Sequence, residues 1–155
     1  LVGMPVVDMA VPPPPSPTAY GPLPESAYVP LMAHADVALG TLALHRNGIN
    51  EASTLKVREY LARGLPTIIG YDDTDFPKPP DFLLRLPNTE DNVPTHLREI
   101  AAFIESSRGR RVPREAIEHL DTQWKERERL DFVRAIAMGA VRGVAASSLP
   151  LPPGL

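Results

Sequence analysis

NEASTLKVREYLARGLPTI, residues 50–68, decides how this chain is read. Ser53 and Thr54 are good N-cap residues, so a helix starts there and runs to about Arg63. Gly64 closes it as a C-terminal cap, and Pro66 just beyond prevents its continuation. The chain then enters Pro66-Thr67-Ile68-Ile69-Gly70, which is short, uncharged and β-branched at its centre. Such a run suits a strand buried on both faces. Glu51 falls on the approach loop and Glu59 inside the helix. Eight helical residues turn through about 800°, leaving two such carboxylates about 80° apart and about 12 Å along the axis. That excludes a close acid/base pair but permits two grips on one long ligand. Lys56 in the first turn opposes the helix dipole, a placement that makes sense if an anion sits at the helix start. The competing reading is a solvated Lys56–Glu59 pair contributing tenths of a kcal/mol.

Outward from this stretch, apolar runs alternate with helical patterns. Upstream, Leu1–Met4 and Thr18–Tyr20 are candidate strands, and Glu25–His34 a helix unless Pro30 delays its start. Asp36–Gly40 is a strand whose exit Leu42–Leu44 extends it. Downstream, Phe82–Leu86 is another strand, and Val93, Leu97, Ile100, Ala101 and Ile104 share one helical face ending near Gly109. Pro113 suits a first helical position, and a long helical run over Asp121–Val144, with Trp124 as its anchor, packs either here or against a further domain. Strands alternating with helices predict an α/β fold with a mainly parallel sheet. Ligands of open α/β sheets bind beyond the carboxyl ends of the strands. The polar segment Thr41–Lys56, with His45, Arg46, Asn47, Asn50 and Glu51, follows one of those ends.

Composition narrows the function classes. The 155 residues suit one domain with a real core, and the 43% hydrophobic and 23% charged content is ordinary for a globular chain. A net charge of −3 argues against general nucleic-acid binding. No apolar run reaches the ~20 residues that span a bilayer, and no secretory signal is legible. There are no cysteines, so disulfides and thiolate metal sites are excluded. A cytoplasmic location fits, with peripheral membrane contact left open. His34, His45, His96 and His119 show no ligand spacing, so no metal is expected. The 19 prolines cluster at Pro12–Pro15 with Pro17, a stiff connection or a ligand for proline-recognition domains, and at Pro77–Pro80, a loop. The organisation expected is a first strand and proline-rich connection over 1–17, a domain over 18–145 and a tail over 146–155.

The run HADVALGTLALHRNGINEASTLKVREYLARGLPTIIGYDD, residues 34–73, resembles the nucleotide-binding half of retaining glycosyltransferases built from two facing Rossmann-like domains, the group 1 family. The resemblance rests on Glu51, seven intervening residues, Glu59-Tyr60-Leu61-Ala62, Gly64 and Pro66, on Lys56, and on the preceding Ala35-Asp36-Val37. It covers roughly Tyr20–Asp73. It implies a Rossmann-like parallel sheet flanked by helices, one half of a two-domain enzyme. Glu59 would accept ribose hydroxyls, and Thr54 and Leu55, with Ser53 beside them, would offer backbone N–H groups to the diphosphate. Lys56 would add positive charge, and Glu51 would contact the donor sugar near the transferring carbon. His45, Arg46 and Asn50 are further candidates on the approach loop. The donor is a nucleotide-diphosphate sugar, and no cofactor or metal is implied. The family's preceding domain and the Arg and Lys that clamp the donor phosphates are not found in this sequence. The chain alone is therefore expected to bind nucleotide weakly and transfer nothing efficiently. The rival expectations are a non-catalytic nucleotide- or protein-binding module of the same fold and a scaffold that recruits partners through its proline run.

Overall fold

A computed structural model describes residues 20–138. The proposed strand Leu1–Met4, the proline run Pro12–Pro17, Thr18–Ala19, the end of the last helical run and the tail 146–155 lie outside the described residues. The described chain forms two compact units, one up to Arg114 and one from Glu115.

The first unit is mixed α/β, with a small parallel sheet flanked by helices. Helix α1, Glu25–Ala33, comes first, followed by β1, Ala38–Leu39. After β2, Glu51–Ala52, come helix α2, Leu55–Ala62, strand β3, Thr67–Ile69, and strand β4, Asp72–Asp73. Strand β5, Leu83–Arg85, and helices α3, Asn92–Thr95, and α4, Leu97–Ser107, complete it. Strands β1, β3 and β5 form a sheet in that order, all parallel, with Ala38 opposite Thr67 and Thr67 opposite Leu83. Strand β3 is buried at all three residues, as its lack of charge and β-branching predict.

The run from Pro66 to Thr74 organises everything near the site. It pairs first with β1, then gives the Gly70 N–H to the Thr41 carbonyl at 3.0 Å. Beyond Gly70 it continues as β4, parallel to β2, with Glu51 opposite Asp72. Residues 42–49 are therefore an excursion out of one extended pairing. A Cβ at Gly70 would lie 2.9 Å from the Leu42 Cα and 3.0 Å from the Asn92 amide nitrogen, so the crossing tolerates no side chain there.

Helix α2 is held by its buried face. Val57 and Leu61 are 0% exposed, and Leu65, Ile68 and Ile69 complete the core around them. Its end is a Schellman motif: the Gly64 N–H reaches the Leu61 carbonyl and the Leu65 N–H the Tyr60 carbonyl, both at 2.9 Å. Gly64 sits at φ +78°, which is why glycine stands there. The first unit closes where the Val112 N–H meets the Gly64 carbonyl and Arg111 donates to the Ala33 and Ala35 carbonyls below α1.

Several expectations need correction. Leu42–Leu44 does not extend β1; a 3-10 helix occupies Leu44–Asn47, because the chain must leave the sheet to pass Gly70 and return at Asn50. Glu51 is not on a loose approach loop but in strand β2. Tyr20 is in no strand, and Gly21 forms only an isolated bridge. Helix α1 does span Pro30. The helical run after Asn92 breaks at His96, which ends α3 and starts α4. That break turns the packed face: Ser107 is buried and Ile100 and Phe103 are partly so, whereas Leu97, Ala101 and Ile104 of the expected stripe are exposed. Pro113 precedes a 3-10 helix, Arg114–Leu120, rather than opening an α-helix. In the second unit, helix α5, Thr122–Ala137, buries none of its residues, and Trp124 is not buried.

Candidate functional site

Two cavities receive candidate residues: Lys56 and Glu59 line one, and Asn50 lines the other. The first is a groove of about 680 Å³ between α1, β1 and α2. Lys56 and Glu59 line it from α2, Tyr28 from α1, and Leu39 and Gly40 from the carboxyl end of β1, while Leu31 and Met32 add an apolar wall. Its polar centre is Glu59, which the structure holds in a fixed place. Tyr28 donates its hydroxyl to Glu59 Oε1 at 2.9 Å. Arg63, the C-cap residue just beyond α2, donates to the same oxygen from Nε at 3.1 Å and from Nη2 at 3.0 Å. The hydrogen bond to the carboxylate pushes the Tyr28 phenol pKa up, with burial and the Glu59 charge acting in the same direction. The Arg63 guanidinium also lies over the Tyr28 ring, 5.9 Å from its centroid.

The second is a smaller cavity of about 400 Å³ beyond the carboxyl ends of β3 and β5, lined by Asn50, Tyr71, Asp72, Arg85 and Asn88. Arg85 Nη1 donates to Asp72 Oδ1 at 2.7 Å. Asn88 ties the excursion 42–49 down. It accepts from the His45 N–H at 3.0 Å and donates to the Ile49 carbonyl at 2.9 Å and the Asn50 side-chain oxygen at 3.0 Å. His45 and Arg46 converge on Glu90: His45 Nε2 lies 2.8 Å from Oε2, Arg46 Nε donates to it at 2.9 Å, and Arg46 Nη2 bonds Oε1. The hydrogen bonds from Arg46 and then His45 hold the Glu90 carboxyl down at about 2. These contacts tie His45 and Arg46 into a latch between two loops.

Ser53, Thr54 and Leu55 lead into α2. Thr54 is the N-cap residue, as expected, but its side chain makes no capping hydrogen bond. Thr54 Oγ1 instead pairs with the Tyr71 hydroxyl at 2.8 Å, and Ser53 donates to Asp75 at 2.9 Å. Leu55 is 87% exposed, and α2 carries no acidic residue in its first turn.

Behind this stretch lies a network that the sequence did not single out. Arg58 Nη1 and Nη2 reach the two oxygens of buried Asp73 at 2.9 and 2.5 Å, and Nη2 also reaches Asp75 at 2.6 Å. Burial works against the Arg58 charge, but the bonds and charges of Asp73 and Asp75 outweigh it and raise its pKa. The network pins α2 to β4 and so fixes where Lys56 and Glu59 stand. Arg63 could have been found from its helical spacing four residues after Glu59; Tyr28, Asn88 and Glu90 had no sequence signal.

Among the described residues no group of His, Asp or Glu is placed to hold a metal ion, and no helix is long and apolar enough to cross a membrane. No protein-family model, curated protein or solved structure matches the chain.

Proposed function

We propose that this chain is the donor-binding, Rossmann-like half of a retaining glycosyltransferase that uses a nucleotide-diphosphate sugar. The observation that carries the reading is the groove that brings Lys56 and Glu59 together beside the carboxyl end of β1. Ligands of parallel α/β sheets bind at such strand ends. In this reading the nucleobase lies on the apolar wall of Leu31, Met32 and Leu39, and Glu59 accepts the ribose hydroxyls. The diphosphate meets the uncapped start of α2, where the N–H groups of Thr54 and Leu55 and the Lys56 ammonium offset its charge. The same donors stabilise the nucleoside diphosphate as it leaves, which is where charge develops in glycosyl transfer. Glu51, exposed at the start of β2, is left to face the donor sugar.

Transfer needs an acceptor surface, so the preceding domain of the same enzyme is the partner this reading requires, in a cytoplasmic setting and with no metal or nucleic acid. Titration calorimetry with UDP, GDP and ADP tests the proposal. The expected result is binding of at least one, abolished in Glu59→Ala. No binding of any of them, or binding untouched by Glu59→Ala, rejects it in favour of a module that binds something else.

A further inference from the structure

We propose that Tyr28 and Arg63 are positioning residues that hold one oxygen of Glu59 so that the other receives the 2′- and 3′-hydroxyls of a ribose, making the groove selective for ribonucleotides over deoxyribonucleotides. The inference rests on the nucleotide reading above and adds residues from outside the stretch that suggested it.

All three hydrogen bonds that the described residues give the Glu59 carboxylate fall on Oε1, from Tyr28 and twice from Arg63. A carboxylate oxygen has two lone-pair directions, so Oε1 is fully committed. Oε2 has no hydrogen-bond partner among the described residues. The Glu59 side chain is 39% exposed and lines the groove. One-sided loading removes the rotational freedom that an exposed glutamate otherwise keeps, and leaves a single acceptor edge for a ligand. A vicinal diol suits such an edge, because both of its hydroxyls can donate to one ionised oxygen. The donors are themselves fixed: the Arg63 guanidinium lies over the Tyr28 ring, and Glu25 Oε1 accepts from Arg63 Nη2 at 3.3 Å. The rival explanation is a staple that only fastens α1 to α2. A staple would contribute to stability without sensing the 2′-hydroxyl.

The test compares the best-bound of UDP, GDP and ADP with its 2′-deoxy counterpart by titration calorimetry. The protein is wild type, Tyr28→Phe, which keeps the ring, or Arg63→Lys, which keeps the charge but loses the two-pronged donor. Wild type is expected to prefer the ribonucleotide by roughly tenfold or more, and each variant to lose about three- to tenfold of that preference through weaker ribonucleotide binding. Thermal melts confirm that both variants fold. An unchanged preference in both folded variants overturns the inference while the nucleotide reading stands. Wild-type binding with no ribose preference overturns it too, and no binding at all removes the reading beneath it.

Discussion

Helices α2 and α5 reach stability by opposite routes. Helix α2 has only 8 residues, below the roughly 12–15 at which an isolated helix becomes marginal in water. It persists because Val57 and Leu61 are wholly buried, Arg58 is clamped to Asp73, and Gly64 ends it cleanly. Helix α5 has 16 residues and buries none. It relies on local devices: Asp121 accepts the Gln123 N–H at 2.8 Å, and Glu126–Arg129 and Asp131–Arg134 pair three residues apart at 2.6 and 3.3 Å. The candidate site is carried by the helix that tertiary packing fixes. A carboxylate or ammonium offered to a ligand holds its place only if the backbone beneath it cannot fray.

The largest effect that would break this contrast is at Leu61. Leu61→Ala removes a fully buried side chain between α2 and the sheet and should cost about 3–4 kcal/mol in urea unfolding. A loss near 1 kcal/mol would place α2 in the same class as α5. Arg58→Ala comes next. It leaves buried Asp73 without its guanidinium, and because Asp75 and Arg58 keep some contact with solvent the cost should be about 2–3 kcal/mol, below that of a wholly buried pair. Nucleotide titration of the same variant sharpens the comparison, since weaker binding in a folded protein would tie the clamp to the site. Gly64→Ala forces a left-handed backbone on alanine, with Arg111 Cδ 3.3 Å from the new methyl group, and should lower stability by about 1–2 kcal/mol.

The contrast also marks where the sequence could be read. The end of α2 was legible because Gly64 and Pro66 act through their own backbone geometry, without distant partners; its start was placed correctly at Thr54, although the Thr54 hydroxyl bonds Tyr71 rather than the helix. Strand β3 was legible for the same kind of reason, a short apolar β-branched run between breakers. Strands β2 and β4 were not: Glu51-Ala52 and Asp72-Asp73 lack strand propensity, and only the long-range pairing across Gly70 makes them extended. In the site, Lys56 and Glu59 share a groove because helical spacing puts them on neighbouring faces. Tyr28 lies 31 residues before its partner Glu59, and nothing local to either one signals the contact. His45 and Arg46 were read as candidates because their polar segment follows the carboxyl end of a strand; the bonds that both make to Glu90, 45 and 44 residues on, had no such local signal.

The smallest predicted effect belongs to Trp124, and it overturns the reading that a lone tryptophan must anchor its helix. Large aromatic side chains dominate cores, so Trp124 was read as the anchor of its helix, with truncation costing about 3–5 kcal/mol if it were buried. It is instead 48% exposed, and Leu130, Phe132, Val133 and Ile136 of the same helix are more exposed still. An apolar stripe at helical spacing predicts a helix, which formed, but it does not supply the surface the stripe is to bury. Local capping and ion pairs then carry α5, and Trp124 contributes through partial contact only. Trp124→Ala should therefore change unfolding free energy by less than about 1 kcal/mol. The far-ultraviolet helical signal should fall by no more than a frayed turn. A loss of about 3 kcal/mol or more would mean that α5 is held by burial after all, and the difference between the two helices would disappear.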